Sequence, residues 1–113
     1  MPVVTIPQTS YTADHGMYVI LECTIAANPV YTHVQWYKIK NGNYVNLNVT
    51  INSKYSGSTV GNPSLTISSL LDDDEGYYIC SATNDIGSSQ SSPTLLNVHG
   101  GMLNIECDFQ CVI

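Results

Sequence analysis

The sequence contains no arginine and only three lysines, against nine aspartates and glutamates, so its formal net charge is −6 at pH 7. Nucleic acids and heparin-like polyanions are bound through several basic contacts. A chain with so few cations is poorly suited to either ligand. We therefore expect no nucleic-acid partner.

Long apolar runs are also missing from the chain. No stretch approaches the roughly 20 apolar residues that a membrane-spanning helix needs, and we expect no membrane insertion by this chain. The first residues lack the basic start and apolar core of a signal peptide. If the protein is exported, we expect the sequence to be a mature fragment with an added methionine.

Catalytic motifs are equally scarce. Gly-x-Ser-x-Gly does not occur, and the serines fall in turn-rich segments. Catalysis would need a nucleophile with a base and an oxyanion donor, or carboxylates in a cleft. We expect neither enzymatic activity nor a cofactor.

Two groups of side chains in the sequence contain residue types that bind metal ions. The acidic run at residues 72–75 offers carboxylates of the kind that calcium binds, but a solvated turn explains it better. The histidines and the last two cysteines match no zinc-ligand spacing; they are His15, His33, His99, Cys107 and Cys111. We expect no metal site.

The most informative segment that is present runs from Asp74 to Cys80. Gly76 permits a bend that a side chain would obstruct. Tyr78 and Cys80 are two residues apart and therefore share one face of an extended strand. A buried Tyr78 needs a hydrogen-bond acceptor, which we expect among the backbone groups of residues 71–74.

An earlier cysteine and the only tryptophan complete a pattern. Cys23 lies in an alternating segment at residues 18–25, and Trp36 follows in residues 34–37. Cysteine, tryptophan and cysteine in this order, with Tyr78 two residues before Cys80, resemble the immunoglobulin fold. The resemblance implies an all-β, two-sheet sandwich with Greek-key topology, an inter-sheet disulfide between Cys23 and Cys80, and a core containing Trp36 and Tyr78.

Further segments are similar to I-set and shortened variable-type domains of this family. They are residues 54–58, 64–70 and 82–87. In that family a basic residue at the start of one strand pairs with the acid before the second cysteine strand, which implies an ion pair between Lys54 and Asp74. The spacing from Trp36 to Cys80 is short for a full variable domain, and the Phe-Gly-x-Gly of antigen receptors is missing.

The resemblance divides the chain into an immunoglobulin-like domain at residues 1–99 and an apolar, cysteine-containing tail or linker at residues 100–113. Cys107 and Cys111 leave three alternatives open. They form a local tail disulfide, they form intermolecular disulfides that make a homodimer, or they belong to an end with no set role.

Compartment is indicated by cysteine content and by a sequon. Four cysteines in a small domain suggest an oxidising compartment, and Asn48 begins the glycosylation sequence Asn-Val-Thr. We expect an extracellular protein, either secreted or the ectodomain of a membrane protein. An intracellular filament domain with reduced cysteines is the alternative.

Alternation along the strands predicts a binding face. With Trp36 and Cys80 inward, their neighbours point outward from the sheet expected to contain the C, C', F and G strands. The bulky outward residues are Tyr37, Ile39, Ile79 and Leu95. Contiguous apolar patches usually mark contacts. We predict that this face binds a protein or a second copy of the chain, in adhesion or innate immune recognition.

Two alternatives compete with this prediction. The chain is a spacer domain of a larger matrix or muscle-filament protein and has no ligand, or its apolar tail covers the patch.

Overall fold

A computed structural model describes residues 2–47 and 54–100. Within these residues the chain forms eleven β-strands and a one-turn 3-10 helix at Asp72–Asp74. The strands are β1 (Val3–Thr5), β2 (Ser10–Asp14), β3 (Val19–Leu21), β4 (Thr24–Ala26), β5 (His33–Lys40), β6 (Asn43–Asn46), β7 (Tyr55–Gly57), β8 (Leu65–Ile67), β9 (Gly76–Thr83), β10 (Ser88–Gln90) and β11 (Thr94–His99).

The strands form two layers, as the all-β sandwich prediction required. One layer is the sheet ordered β2-β11-β9-β5-β6, with β10 also paired to β9. The other contains β3-β8-β7 and the pair β1-β4. Cys23 and Cys80 are disulfide-bonded between the layers across a sequence separation of 57. On the chain-entropy argument a loop of this length contributes about 4 kcal/mol to the free energy of unfolding.

The strand predicted to hold Cys23 is divided into β3 and β4. The break falls at Glu22 and Cys23, whose backbone amides leave the ladder for side-chain acceptors. The Glu22 amide donates to the Tyr11 hydroxyl (3.0 Å), and the Cys23 amide donates to the Ser64 hydroxyl (3.2 Å). The single continuous strand expected from alternation is therefore wrong at this point.

The first strand is split between the two layers around Pro7, which has no backbone N–H to donate to a ladder. β1 pairs antiparallel with β4, whereas β2 pairs parallel with β11. Two hydrogen bonds hold the crossing segment to the start of β11: Thr94 Oγ1 donates to the Gln8 carbonyl (3.0 Å), and the Leu95 amide donates to the Thr9 carbonyl (2.9 Å). The first strand thereby contributes an edge to both sheets.

The core lies between the layers and is centred on Trp36, which is fully buried. Its indole Nε1 donates to the Pro63 carbonyl at 2.7 Å, so the polar atom of this aromatic residue is satisfied. Trp36 lies directly opposite Cys80 in the β5-β9 ladder. The other fully buried large side chains are Leu21, Leu65, Ile67, Leu70, Tyr78 and Leu96.

Two glycine-containing turns are fixed by backbone conformation. Asn41 and Gly42 both have positive φ, 54° and 79°, as the two-residue hairpin turn between β5 and β6 requires. Gly57 also has positive φ, 83°, and a Cβ built there would lie 2.1 Å from the Ser64 carbonyl oxygen. Position 57 therefore excludes any side chain for two separate reasons.

Replacing Trp36 with alanine should lower the free energy of unfolding by about 3 to 5 kcal/mol, because a large buried aromatic group is lost and its cavity remains. Urea denaturation monitored by circular dichroism measures the change. Tyr18→Ala is the matched control, since Tyr18 is 61% exposed. If Trp36→Ala lowers the free energy of unfolding no more than Tyr18→Ala does, the central position of the indole in the core is contradicted.

Gly57→Ala should destabilise the domain far more than Gly16→Ala. Both glycines have positive φ, but a Cβ at Gly16 meets nothing within 4 Å. The control therefore measures backbone strain alone, about 1 to 2 kcal/mol, and the excess at Gly57 measures the collision with Ser64. Equal midpoints of thermal unfolding for the two variants would show that the backbone at Gly57 accommodates the added methyl group without further loss of stability.

Candidate functional site

One end of the sandwich is organised by the Lys54 and Asp74 side chains. Lys54 Nζ lies 2.8 Å from Asp74 Oδ2, which makes an ion pair. Lys54 also donates to the Ser68 and Ser69 carbonyls, at 3.1 and 2.8 Å. Asp74 Oδ2 accepts from the Leu71 amide at 2.8 Å. The pair therefore connects the segment after β8 with the turn before β9, which is a structural role.

Tyr78 reaches the same turn from the core. Its hydroxyl donates to the Asp74 carbonyl at 2.5 Å, within the backbone segment expected from the sequence. Burial is the main cause that raises the pKa of Tyr78 well above its ordinary value, and the negative charge of Asp74 adds to it. The phenol is therefore held neutral over the whole physiological range.

Lys38 is a residue whose role the sequence did not reveal. It lies on the inward side of β5, two residues after Trp36. Its Nζ is 5.8 Å from the centroid of the Tyr78 ring and donates to the Asp73 carbonyl. Burial lowers the pKa of Lys38, and the nearby Asp74 opposes this shift. The lysine therefore closes the end of the core, with its stem beside Gly76, where a Cβ would lie 3.2 Å from Lys38 Cε.

The outward surface of β6, β5, β9, β10 and β11, here called the front face, contains a row of apolar side chains. Residues directly opposite each other in neighbouring antiparallel strands share one face. Tyr44 is opposite Ile39, Ile39 is opposite Tyr77, and Tyr77 is opposite Leu95. These four side chains form the apolar row across four strands.

Tyr37 and Ile79 form a second pair on this face, one step along the strands. The Tyr37 ring lies 5.9 Å from the Tyr44 ring between centroids, which joins the pair to the apolar row. Tyr37, Ile39 and Leu95 are half-buried. The front face therefore brings together the residues that alternation placed there.

Ile79 departs from the expectation of an accessible contact residue, because only 3% of it is exposed. It is buried yet lies outside the core cluster between the layers. β9 is the central strand of its sheet, so the side chains of neighbouring strands cover Ile79 on the front face. Ile79 supports this surface from beneath and offers almost no area to a partner.

Tyr44 and Tyr77 are the accessible members that the sequence prediction missed. They are 52% and 50% exposed. Both could have been found: the two-residue turn at Asn41 and Gly42 places Tyr44 opposite Ile39, and Tyr77 precedes the inward Tyr78. The register of the hairpin therefore gives the position of Tyr44, and alternation along β9 gives the position of Tyr77.

The other half of the front face is polar. Gln35, Ser81 and Gln90 lie opposite one another on β5, β9 and β10, and a further row contains His33, Thr83 and Ser88. Together with neighbouring side chains they line a groove of about 380 Å³. The front face is therefore divided into an apolar half and a polar half.

Several sequence predictions concern metals, membranes and the unassigned cysteines. In residues 2–47 and 54–100, no three histidine, cysteine, aspartate or glutamate side chains converge as metal ligands would. The same residues include no helix of the length and apolarity required to cross a membrane. Asn48, Cys107 and Cys111 lie outside the described residues, so the glycosylation site and the tail remain predictions.

Tyr78→Phe should lower the free energy of unfolding by about 0.5 to 1.5 kcal/mol at pH 7, since the Asp74 carbonyl loses its donor. The folded-state pKa of Tyr78 is raised above its unfolded value of about 10. The stability that the neutral phenol contributes is thus fully present below pH 10 and is lost as the pH rises further. The difference in the free energy of unfolding between wild type and Tyr78→Phe should therefore become smaller above about pH 10. Urea titrations at neutral and alkaline pH measure it, and a constant difference would place the phenol in water.

Comparison with known proteins places this geometry in a family. A model of the immunoglobulin domain matches residues 1–84. Protein turtle of Drosophila melanogaster is 33% identical over 100 residues, which cover 85% of this chain and 6% of that protein. Netrin receptor DCC of Homo sapiens is 38% identical over 84 residues, which cover 74% of this chain and 5% of that protein. The cell adhesion molecule DSCAM of Gallus gallus is 34% identical over 84 residues, which cover 74% of this chain and 4% of that protein.

Solved structures show the same likeness. The N-terminal Ig1-2 module of the Drosophila receptor protein tyrosine phosphatase DLAR matches with a TM-score of 0.70 and 28% identity, over 88% of this chain and 46% of that chain. The chain thus spans about half of that two-domain module and about one twentieth of the curated relatives. The family match, the relatives and the disulfide-bonded two-sheet fold agree: this chain belongs to the immunoglobulin domain family.

Proposed function

We propose that this chain is an extracellular recognition module that binds a protein, either another cell-surface protein or a second copy of itself, through the apolar half of the front face. The observation that supports the proposal is the continuous apolar row on β6, β5, β9 and β11. Single exposed apolar residues are ordinary on protein surfaces, whereas contiguous patches mark interaction sites.

The composition of the apolar half of the front face, which consists of the apolar row and the Tyr37 and Ile79 pair, favours a protein partner. Three of its side chains are tyrosines, Tyr37, Tyr44 and Tyr77. Tyrosine is enriched among the residues that dominate binding energy at protein interfaces, because it buries a large rigid ring while keeping a polar atom. The centre of such interfaces is depleted in charge. No lysine, aspartate or glutamate occurs in the apolar row or in the Tyr37 and Ile79 pair.

The relatives support the class of function. Their names include a netrin receptor and a cell adhesion molecule, so a receptor or adhesion protein is the expected parent of this domain. The disulfide supports an extracellular location, because such bonds persist in oxidising compartments. The shared segment is a small part of each relative, so the ligand of a particular relative is not carried over.

A spacer function is the second candidate, and one observation favours it. The chain matches under half of a structure described as tandem Ig repeats, so related domains occur in series. A domain in such a series can position its neighbours without binding a ligand itself. The spacer proposal predicts that front-face substitutions affect no binding event.

The double substitution Tyr44→Ser and Tyr77→Ser should weaken binding about 30-fold or more, the effect of losing interface residues worth about 2 kcal/mol. Self-association is measured by sedimentation equilibrium, and binding to another protein by staining of intact cells with the clustered chain. The domain should remain folded, because both side chains are half exposed and the loss of their cross-strand contacts lowers the free energy of unfolding by only about 0.2 to 1 kcal/mol each. Ile79 is left intact, because a polar group at this buried position would destabilise the fold.

The matched control is Tyr18→Ser, since Tyr18 is 61% exposed and lies just before β3 in the opposite layer. Binding should survive this substitution. If binding is unchanged in the Tyr44 and Tyr77 variant, or if the wild-type chain binds neither itself nor cells, the spacer proposal is the better one.

A further inference from the structure

The polar half of the front face is a groove built on β5, β9 and β10. Its floor consists of two cross-strand rows, Gln35-Ser81-Gln90 and His33-Thr83-Ser88. The groove volume of about 380 Å³ falls within the range of about 300 to 1,000 Å³ typical of small-molecule sites. Tyr37 and Asn46 contribute to the wall nearer the apolar row.

Three lining side chains have hydrogen-bonding groups that are not used within residues 2–47 and 54–100. In the described part of the chain, the side chains of Asn46, Ser81 and Gln90 make no hydrogen bond, although all three line the groove. Two amides and one hydroxyl supply both donors and acceptors. A ligand with many hydroxyl groups can pair with all three.

Gln35 adds an acceptor whose position is fixed. Its Nε2 donates to the carbonyls of Trp36 (2.9 Å) and Leu47 (3.0 Å). Both N–H groups of the amide are thereby occupied, and the carbonyl oxygen Oε1 remains free to accept. Because the side chain is already held by two bonds, little conformational entropy is lost when a ligand donates to it.

The end of the groove floor farthest from the apolar row is held by a hydroxyl pair. Thr83 Oγ1 and Ser88 Oγ are 2.6 Å apart and join β9 to β10 across the turn between them. β10 therefore stays beside β9 as part of the groove floor. The site is largely formed before a ligand arrives.

The lining contains amides, hydroxyls, an imidazole and an aromatic ring, but no aspartate, glutamate or lysine. A charged ligand would find no opposite charge there and would lose hydration without compensation. A neutral sugar presents hydroxyls that both donate and accept, and its apolar C–H face can rest on an aromatic ring such as Tyr37. From this combination we infer that the groove binds a neutral hexose or N-acetylhexosamine residue of a glycan.

The glycan has two possible sources. It belongs to a partner, or it is the chain's own glycan on Asn48, which follows Asn46 by two residues in sequence and lies outside the described residues. Both sources present the same neutral sugar chemistry. The inference does not depend on the proposed protein-binding function, because the groove shares only Tyr37 with the apolar half of the face.

The test titrates the ¹⁵N-labelled, unglycosylated chain with N-acetylglucosamine, methyl mannoside and lactose and follows the backbone amide resonances. At least one of these sugars should cause saturable shifts at millimolar concentration, centred on Gln35, Ser81 and Gln90. Glucuronate, an anionic sugar, should cause none. Ser81→Val and Gln90→Leu should each weaken binding about five-fold or more, the loss expected for one hydrogen bond.

Thr12→Val is the matched control, because Thr12 is an exposed hydroxyl residue of the same sheet outside the groove. Sugar binding should be unchanged in this variant and in the Tyr44 and Tyr77 variant. The inference is overturned if no neutral sugar gives saturable shifts, or if the shifts persist in Ser81→Val and Gln90→Leu. A repeat with the glycosylated chain distinguishes the sources: free sugar is excluded if the Asn48 glycan occupies the groove, and binds as before if the ligand comes from a partner.

Discussion

The disulfide between Cys23 and Cys80 is the constraint from which the arrangement of the sandwich follows. It requires Cys80 to face inward on β9, and Trp36, directly opposite on β5, then faces inward as well. Because side chains alternate along a strand, Tyr37 and Ile79 are turned to the front face by the same bond. A covalent link in the interior thus determines which residues are presented on the surface.

The end of the sandwich depends on a second, electrostatic constraint. Asp74 accepts through its side chain from Lys54 and Leu71, and its backbone carbonyl accepts from Tyr78. One residue therefore fixes the turn that begins β9, and β9, like β5, contributes to both halves of the front face. The pair is largely buried, with Asp74 only 6% exposed, so the attraction between the two charges is offset by the cost of removing them from water. Its effect here is to set the register of the central strand rather than to add much stability.

The resemblance to the immunoglobulin fold predicted the two-sheet sandwich and its disulfide, and local periodicity predicted which strand residues face inward. Alternation placed Trp36 inward and Tyr37 outward, and the Asn41-Gly42 turn fixed the β5-β6 hairpin. What periodicity could not supply are the consequences of contacts between distant segments. The interruption after β3 arises because the Tyr11 hydroxyl, eleven residues away, accepts from the Glu22 amide. Ile79 faces outward as alternation requires, yet neighbours in space cover it. The polar groove exists because β10 folds back beside β9, and no pattern within either strand indicates that pairing.

The distribution of charge connects the two halves of the front face. The chain has a net charge of −6, yet none of the cross-strand rows described on this face contains a lysine, aspartate or glutamate. Four of the nine acidic residues are instead concentrated at positions 72–75, where the 3-10 helix precedes β9. A second acidic protein, including another copy of this chain, can therefore approach the front face with less repulsion than any approach through that end. An uncharged interface gains affinity chiefly from buried apolar area and orientation from hydrogen bonds. The apolar row supplies the apolar area and the polar groove supplies the hydrogen-bonding groups. Both lie on strands whose orientation is fixed by the Cys23–Cys80 disulfide.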